Sequence, residues 1–367
     1  MKKVVAMMLC GVMIAGMTGC ADSTNNTDDT ETVSKGGGEV VEDPDTYEGA
    51  VEYVTLIEDY GAIPAPEDGT TIGFAAKAFE NEYWAALKDG VEDQGEELKE
   101  AGYDVTVDVR AAQGESDEQG QAALMSDMVN KEYDIILASP ISDGNLIQAT
   151  EKAHEAGIPV IDSIGGFVPD MDIFVGPQHY HSGELAAEWI SDKLGDESGQ
   201  VTVIMGLTQE SAARARTQGF EEWFAENRSD IEVIEPQNAD WDRTQAKEVM
   251  ETLIKQYPDL KAVYANNDTM AMGALEAVIS AGKEDEILVI GNDGTNEALQ
   301  SIEEGKLDAT VNIFPYYGGK ITVDVALRTL GGQELPKVIY TNQTVVDSEN
   351  VGMDMDELAG WTGLEFE

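Results

Sequence analysis

From residue 71 onward, short apolar runs alternate with longer segments in which apolar residues recur every three or four positions. Short apolar runs predict buried strands, and the longer periodic segments predict amphipathic helices. The predicted strands cover 71–76, 104–109, 133–138, 158–161, 201–205, 231–235, 262–265 and 287–290. The predicted helices cover 82–100, 118–130, 145–156, 184–194, 211–226, 243–256 and 269–281.

Short apolar strands that alternate with helices are typical of parallel sheets covered on both faces. The 367 residues are too many for one compact core and suit two lobes of ordinary domain size. We therefore predict the α/β class, with two doubly wound parallel-sheet lobes. Because ligands bind outside the carboxyl ends of such strands, functional residues are expected directly after each strand.

The first twenty residues have the pattern of a secretory signal. Met1-Lys2-Lys3 is a short basic region, and the apolar run 4–17 is too short to span a bilayer comfortably. The run ends in Met17-Thr18-Gly19-Cys20, which resembles a bacterial lipobox. This resemblance implies that 1–20 is a lipoprotein signal peptide and that Cys20 is diacylated. The alternative is an ordinary signal peptide cut near residue 15 or 21.

Residues 21–70 are predicted to be an acidic disordered tether. They hold 14 acidic residues and one basic residue, Lys35, so the segment has little apolar surface to bury. Within it, the more apolar residues 50–57 can form a short helix or pack on the folded part.

The charge of the chain excludes several partners. Lys and Arg number 22 against 72 Asp and Glu, which gives a formal net charge of −50. Nucleic acids and anionic lipid surfaces both require clustered basic residues. Both cysteines, Cys10 and Cys20, lie in the leader, and only three histidines are present, so we predict no disulfide and no metal site.

The residues that follow the predicted strands carry a family resemblance. They lie at 77–84, 139–140, 156–160, 211–220, 238–243, 265–274 and 291–295. In order and spacing this series resembles the ribose-type sugar-binding proteins of ABC importers, the type I periplasmic binding proteins, over about 71–347. The resemblance implies an N-terminal lobe of 71–176 plus 313–341, a C-terminal lobe of 177–312 plus 342–367, and a three-crossing hinge.

The resemblance also implies a ligand site in the cleft. A sugar needs aromatic plates for its C–H faces and planar polar side chains for its hydroxyls. The matching ligand-binding positions are Lys77, Asn81, Tyr83, Trp84, Ser139, Arg216, Trp241, Asn267 and Asp293. Structural alternatives stay open: Tyr83 and Trp84 as core, Arg216 as an ion-pair partner, Asn267 and Asp293 as helix caps, and Trp241 as a staple residue.

One corner of the site departs from the ribose-like pattern. An Asp–Arg pair of the family is replaced by Ile164 and Gly165, and Asp162 lies two residues earlier as a substitute. A later Gln position is Ile313, with Asn312 beside it as a second candidate ligand residue. Lys77 replaces a small polar residue and is expected to pair with Asp162, with Asp293 or with the ligand. Ribose itself is therefore not the expected ligand.

The function implied is an extracytoplasmic, lipid-anchored and monomeric solute-binding protein. It would capture a sugar or sugar-like molecule and deliver it by hinge closure to an ABC permease with a separate ATPase. No phosphate-binding loop, nucleophile elbow or catalytic triad is found, so we expect neither enzyme activity nor a cofactor. The alternative is a receptor that presents a ligand, for example a furanosyl signal, to a membrane sensor.

The lipobox predicts that Cys20→Ser releases the protein from the membrane fraction without changing ligand affinity. Two acyl chains give stable anchoring, and the substitution removes the atom that carries them. Fractionation of cells that express each variant measures this. Cys10→Ser is the control, because Cys10 leaves with the signal, and membrane retention of Cys20→Ser would contradict the lipoprotein prediction.

Overall fold

The computed structural model describes residues 41–366. The predicted signal peptide, Cys20 and residues 21–40 of the predicted tether lie outside the described residues. The strands are β1 (Val51–Glu52), β2 (Thr70–Ala76), β3 (Val105–Ala111), β4 (Ile135–Ala138), β5 (Val160–Ser163), β6 (Ile173–Gly176), β7 (Gly199–Met205), β8 (Ile231–Asn238), β9 (Leu260–Ala265), β10 (Leu288–Asp293), β11 (Ala309–Asn312), β12 (Val338–Tyr340) and β13 (Thr344–Asp347).

Helices separate most of these strands. They are α1 (Tyr53–Tyr60), α2 (Glu82–Glu100), α3 (Glu118–Asn130), α4 (Ile147–Glu155), α5 (His179–Leu194), α6 (Ser211–Asn227), α7 (Arg243–Gln256), α8 (Asp268–Ala281), α9 (Asn296–Glu303), α10 (Pro315–Leu330) and α11 (Met355–Ala359). A 3₁₀ turn at Pro44–Thr46 precedes β1.

The strands form two sheets. The order in the first is β1-β12-β6-β5-β4-β2-β3, and the order in the second is β13-β11-β10-β9-β7-β8. We call each sheet with its helices a lobe; α1–α4 and α10 pack on the first sheet and α5–α9 on the second. This arrangement confirms the predicted α/β class with two parallel-sheet lobes. Edge strand β13 is an exception, because it pairs antiparallel with β11.

The central strands are apolar because helices cover both faces of each sheet. In the first lobe, Phe74 and Leu137 pack on one side and Met125 and Ile136 on the other. In the second lobe, Phe220 and Tyr264 belong to one layer, while Met250, Val263 and Leu253 belong to the opposite one. Since the sheets are fixed from both sides, the loops at their carboxyl ends are held in place.

The chain passes between the sheets at three places before it returns from β13 to the first lobe. Strand β6 leads to α5, β11 leads to α10, and β12 leads to β13. The first and third passages lie side by side, because the Thr341 N–H donates to the Gly176 carbonyl at 2.9 Å. Sequence periodicity predicted none of the elements after residue 290, although the family resemblance placed the crossings near residues 176, 313 and 341.

The carboxyl end of the predicted tether is folded, which agrees with the alternative left open for residues 50–57. Residues 51–60 form β1 and α1, and Tyr53 and Leu56 are buried against the first lobe. The reason is that 50–57 offers enough apolar surface to offset the entropy of ordering it. Val41 and Ile63 are buried as well, so the folded part includes about thirty residues before the position expected.

The carboxyl-terminal residues also depart from the prediction that 342–367 belongs to the second lobe. After β13 the chain returns to the first lobe, where Trp361 stacks on Tyr53 at a ring distance of 6.3 Å. Phe366 packs on Tyr103 at 4.6 Å and forms a bridge with Ile63. These aromatic contacts bury surface that a solvated tail would expose. In the described part of the chain, no helix is long and apolar enough to cross a membrane.

Candidate functional site

A cavity of about 290 Å³ lies between the lobes, at the carboxyl ends of the parallel strands. Its walls come from loops and helix starts that directly follow β2, β3, β5, β6, β7, β8, β9 and β10. The lining residues are Lys77, Asn81, Tyr83, Trp84, Glu115, Ser116, Ile164, Gly165, His179, Leu207, Glu210, Ala212, Arg216, Asp240, Trp241, Asn267 and Asp293. The location is the one that the strand–helix order predicts.

The first lobe contributes an aromatic wall from the first turn of α2. Tyr83 and Trp84 meet edge to face, with ring centroids 4.7 Å apart and planes at 89°. Asn81 is the N-cap, and its Oδ1 accepts a hydrogen bond from the Tyr83 N–H at 3.0 Å. The Asn81 side chain also acts on Glu115, where it opposes the rise that burial gives to the pKa of that carboxyl. The Tyr83 hydroxyl is buried and has no hydrogen-bond partner among the described residues.

The second lobe contributes Trp241, which a strained loop holds in place. Asp240 and Trp241 both have left-handed backbone conformations, with φ of 49° and 63°. The indole ring lies against Gly206, where a Cβ atom would come within 2.2 Å of it, so only glycine fits there. The indole N–H donates to Glu210 Oε2 at 3.2 Å. The indole ring is thus fixed by packing and by a hydrogen bond on the cavity wall.

Arg216 forms the polar centre of the site. The side chain is buried, and its Nη1 donates to the Asn266 carbonyl and to Asp293 Oδ1, the latter at 3.4 Å. Its Nε donates to His179 Nδ1 at 3.4 Å. Burial and the neighbouring guanidinium hold the pKa of His179 well below its ordinary value, so the imidazole is neutral and accepts at Nδ1.

Asp293 ends β10 with a φ of 132°, a conformation that residues other than glycine rarely adopt. Such strain costs on the order of 1–3 kcal/mol and is typical of functional sites. Burial raises the pKa of the Asp293 carboxyl above its ordinary value, and the Arg216 guanidinium opposes that rise. Asn267 caps α8, because its Oδ1 accepts from the Met270 N–H at 2.9 Å, and its amide nitrogen remains for a ligand.

Lys77 is the second cation in the cavity and is 5% exposed. Its Nζ lies 4.6 Å from the centroid of the Trp84 ring. Within the described part of the chain, no carboxylate oxygen lies within 4.0 Å of it, so the expected direct pair with Asp162 or Asp293 is not formed. Lys77 acts on Glu115 only at longer range, where it offsets part of the rise that burial gives to the pKa of that carboxyl.

Eight of the nine residues predicted as ligand-binding line the cavity, and Ser139 does not. Its hydroxyl donates to the Ser163 carbonyl beneath the loop. Asp162 is fully buried away from the lining, and Asn312 lines a separate groove of about 440 Å³ together with Gly294. Ser139 follows β4 as expected, whereas Asp162 lies within β5 and Asn312 ends β11, so these two side chains do not belong to the loops that form the cavity wall.

Sequence reasoning missed several residues of the lining. Glu115 and Ser116 follow β3, and Leu207 and Glu210 follow β7, so the rule that functional residues follow strands would have found them. His179 was not among the predicted ligand-binding residues, and the structure places it at the start of α5 on the cavity wall. In the described residues, no three His, Cys, Asp or Glu side chains are grouped to hold a metal ion.

Two α/β lobes with a small polar cavity between them are typical of two-lobed binding proteins, and this chain has both features. Residues 72–334 match the family described as the periplasmic binding protein domain. The D-allose-binding periplasmic protein of Escherichia coli is 36% identical over 243 residues, which are 64% of this chain and 76% of that protein. The ribose import binding protein of Bacillus subtilis is 35% identical over 270 residues, 73% of this chain and 84% of that protein.

Solved structures agree with the sequence matches. A periplasmic solute-binding protein of an ABC transporter from Actinobacillus succinogenes, with bound D-allose, has a TM-score of 0.71 and 29% identity, and the match covers 77% of this chain and 99% of that one. A solute-binding protein from Bacillus halodurans with bound myo-inositol has a TM-score of 0.68 and 26% identity over 78% and 97%. The chain belongs to the periplasmic binding protein family.

The raised pKa of Asp293 predicts how Asp293→Asn changes stability without ligand. The native state binds the proton more tightly than the unfolded chain does. Stability therefore falls as the pH rises from the ordinary aspartate value to the raised one. Asp293→Asn removes this loss, so its melting temperature should exceed that of the wild type at high pH, with a smaller gain at pH about 5.

Melting curves by circular dichroism across this pH range measure the effect. The matched control is Asp240→Asn, at an exposed position on the rim of the same cavity, which should give no gain that grows with pH. A gain in melting temperature for Asp293→Asn that does not depend on pH would contradict the raised pKa of Asp293.

Proposed function

We propose that the cavity binds one sugar or sugar-like molecule, which the protein delivers to the permease of an ABC importer. The chain belongs to a family of extracytoplasmic solute-binding proteins, and its relatives include ribose- and allose-binding proteins. The observation that carries the proposal is the cavity between the lobes, which combines indole and phenol rings with buried planar polar groups. A volume of about 290 Å³ fits a single small ligand, not a polymer.

The proposed ligand contacts are the eight predicted residues that line the cavity. They are Lys77, Asn81, Tyr83, Trp84, Arg216, Trp241, Asn267 and Asp293. The rings cover the C–H faces of a sugar, while Arg and Asp side chains each offer two hydrogen bonds to neighbouring hydroxyls. A ligand that leaves one of these buried groups unpaired loses about 1–3 kcal/mol, which provides the selectivity.

Hinge closure is the proposed mechanism of capture. Near the cavity the lobes meet through Asp143, which accepts from the Ser211 hydroxyl at 3.0 Å and from Arg214 at 3.2 Å. Glu82 of the first lobe accepts from the Glu297 N–H of the second at 3.2 Å. A ligand that touches both lobes adds to these contacts and shifts the equilibrium toward the closed state.

We further propose that Cys20 anchors the protein to the outer surface of the cell membrane and that the protein acts as a monomer. The lobe boundaries are proposed as 71–176 plus 313–341 and 177–312 plus 342–353. Residues 41–70 and 354–366 are added to the first lobe. The ATPase is a separate chain in this scheme.

Signal reception is a second candidate function. A fructose-binding periplasmic domain of a hybrid two-component system has a TM-score of 0.67 and 27% identity to this chain. Such a sensor domain presents the same fold to a signalling protein instead of a permease. Genes for a permease and an ATPase beside this one favour transport, whereas a neighbouring sensor kinase gene favours signalling.

A ligand screen with purified protein tests the proposed function and the role of Arg216. Pentoses, hexoses, inositols and sugar acids are tested by thermal shift, and hits are titrated by calorimetry. We expect at least one of these compounds to bind. Arg216→Ala should weaken its affinity by about 3 kcal/mol, roughly 150-fold, because a buried charged partner is lost.

The control for Arg216→Ala is Lys306→Ala in the same lobe, at an exposed ion pair with Glu304 outside the cavity. Its affinity should match that of the wild type. The proposal fails if no compound of these classes binds, and the role of Arg216 fails if its removal leaves affinity intact.

Lys77 gives a separate prediction, because its buried ammonium lacks a direct carboxylate partner in residues 41–366. Lys77→Met has a similar shape and no charge. It should raise the melting temperature of the ligand-free protein and lower the affinity for the ligand found in the screen. Lower stability with unchanged affinity would show that Lys77 supports folding and not binding.

A further inference from the structure

The segment 41–52 lies outside the family match, which begins at residue 72. It packs where the first and third passages between the lobes run side by side. Val41 and Tyr47 join an apolar cluster with Phe174 of β6 and Tyr340 of β12. The Tyr340 hydroxyl donates to the Pro44 carbonyl, and β1 pairs with β12. The segment is therefore fastened to the strands that lead into the hinge.

Asp45 reaches from this segment to the second lobe. Its Oδ1 accepts from the Tyr180 N–H at 3.0 Å, and its carbonyl accepts from Gln178 Nε2 at 3.1 Å. Helix α5 has no side-chain cap of its own, because Gln178 at the N-cap position makes none. The free N–H groups of a helix start need an acceptor, and a carboxylate is the favoured one. Asp45 supplies it from 135 residues away.

The helix start that Asp45 caps belongs to the ligand site. The first residue of α5, His179, lines the cavity and accepts from Arg216 Nε. A chain of contacts thus runs from Asp45 through the first turn of α5 to the guanidinium at the centre of the site. Each member is buried, with Asp45 at 8%, His179 at 4% and Arg216 at 5% exposure, so none can relax into solvent at little cost.

We propose that Asp45 is a positioning residue for the ligand site: it holds the first turn of α5, and with it His179 and Arg216, in the arrangement that binds the ligand. This inference rests on the proposed function for its effect on affinity. The family match does not contain the residue, so the device belongs to this chain's own amino-terminal segment.

The charges around Asp45 make the device sensitive to pH. Burial raises the pKa of the Asp45 carboxyl to about 7, and nearby Asp43 adds to the rise. The N–H groups of α5 and the Arg216 charge act in the opposite direction, and the Tyr340 phenol faces the carboxyl from β12. The ionised carboxylate is the stronger acceptor, so the cap weakens as the pH falls through about 7.

The first test needs no ligand. The three histidines of the sequence give few imidazole signals, which NMR can follow from pH about 5.5 to about 8.5. The signal of His179 should show a step near pH 7 in the wild type, although the imidazole itself stays neutral. Asp45→Asn should remove that step. Any effect of Asp293 titration on the His179 signal is the same in both proteins, so it cancels when the titration curve of the variant is subtracted from that of the wild type.

The second test measures affinity for D-ribose and D-allose at the same pH values. Asp45→Asn should weaken binding about fivefold at pH about 8.5, the equivalent of a lost helix cap, and much less at pH about 5.5. The control is Glu42→Gln, an exposed acid in the same segment, which should change neither measurement. Melting curves check that each variant is folded.

The outcomes separate this inference from the proposed function. If neither sugar binds but the His179 step depends on Asp45, the positioning role stands, and only the choice of D-ribose and D-allose as ligands fails. If a sugar binds and the ratio of affinities for wild type and Asp45→Asn is the same at every pH, Asp45 is merely structural. If the pH-dependent step of the His179 signal is the same in the wild type and in Asp45→Asn, the inference is also overturned.

Discussion

The buried guanidinium of Arg216 is the interaction on which the rest of the site depends. A desolvated cation requires acceptors on several sides, and this one takes them from three different elements: the Asn266 carbonyl, the Asp293 carboxylate and the His179 imidazole. Those elements end or begin at the carboxyl edge of the second sheet. The same requirement therefore fixes the shape of that edge and leaves the remaining donors of Arg216 for a ligand.

The strands and helices of the two lobes could be predicted from the sequence where a local pattern of residues determines the structure. Strands such as Ile135–Ala138 are apolar because helices cover both faces, and the cap role of Asn267 was one of the alternatives that the sequence left open. The start of α5 was not predictable in this way, because its cap comes from Asp45, far away in sequence. Ser139 lies at the predicted position, but a neighbouring carbonyl turns its hydroxyl away from the cavity.

The charge of the cavity differs from that of the whole molecule. The chain carries −50 overall, yet two buried cations, Lys77 and Arg216, face the enclosed space. Carboxylates lie around them, including Asp293 and Glu115, so the interior offers donors and acceptors together instead of one sign of charge. Such a mixture suits hydroxyl groups, which donate and accept at once, and gives selectivity through geometry more than through long-range attraction.

The two ends of the described chain meet on one lobe. Residues 41–60 enter the first lobe, and Trp361 and Phe366 return to it and pack beside the same elements. With an anchor at Cys20, the first lobe would be the lobe that is connected to the membrane, and it would move little relative to the membrane. The second lobe, which the hinge passages connect to the first, would then be the moving one. Ligand capture would then move the second lobe relative to the anchored first lobe. The segment between Cys20 and the first lobe would not need to move each time the cavity opens or closes.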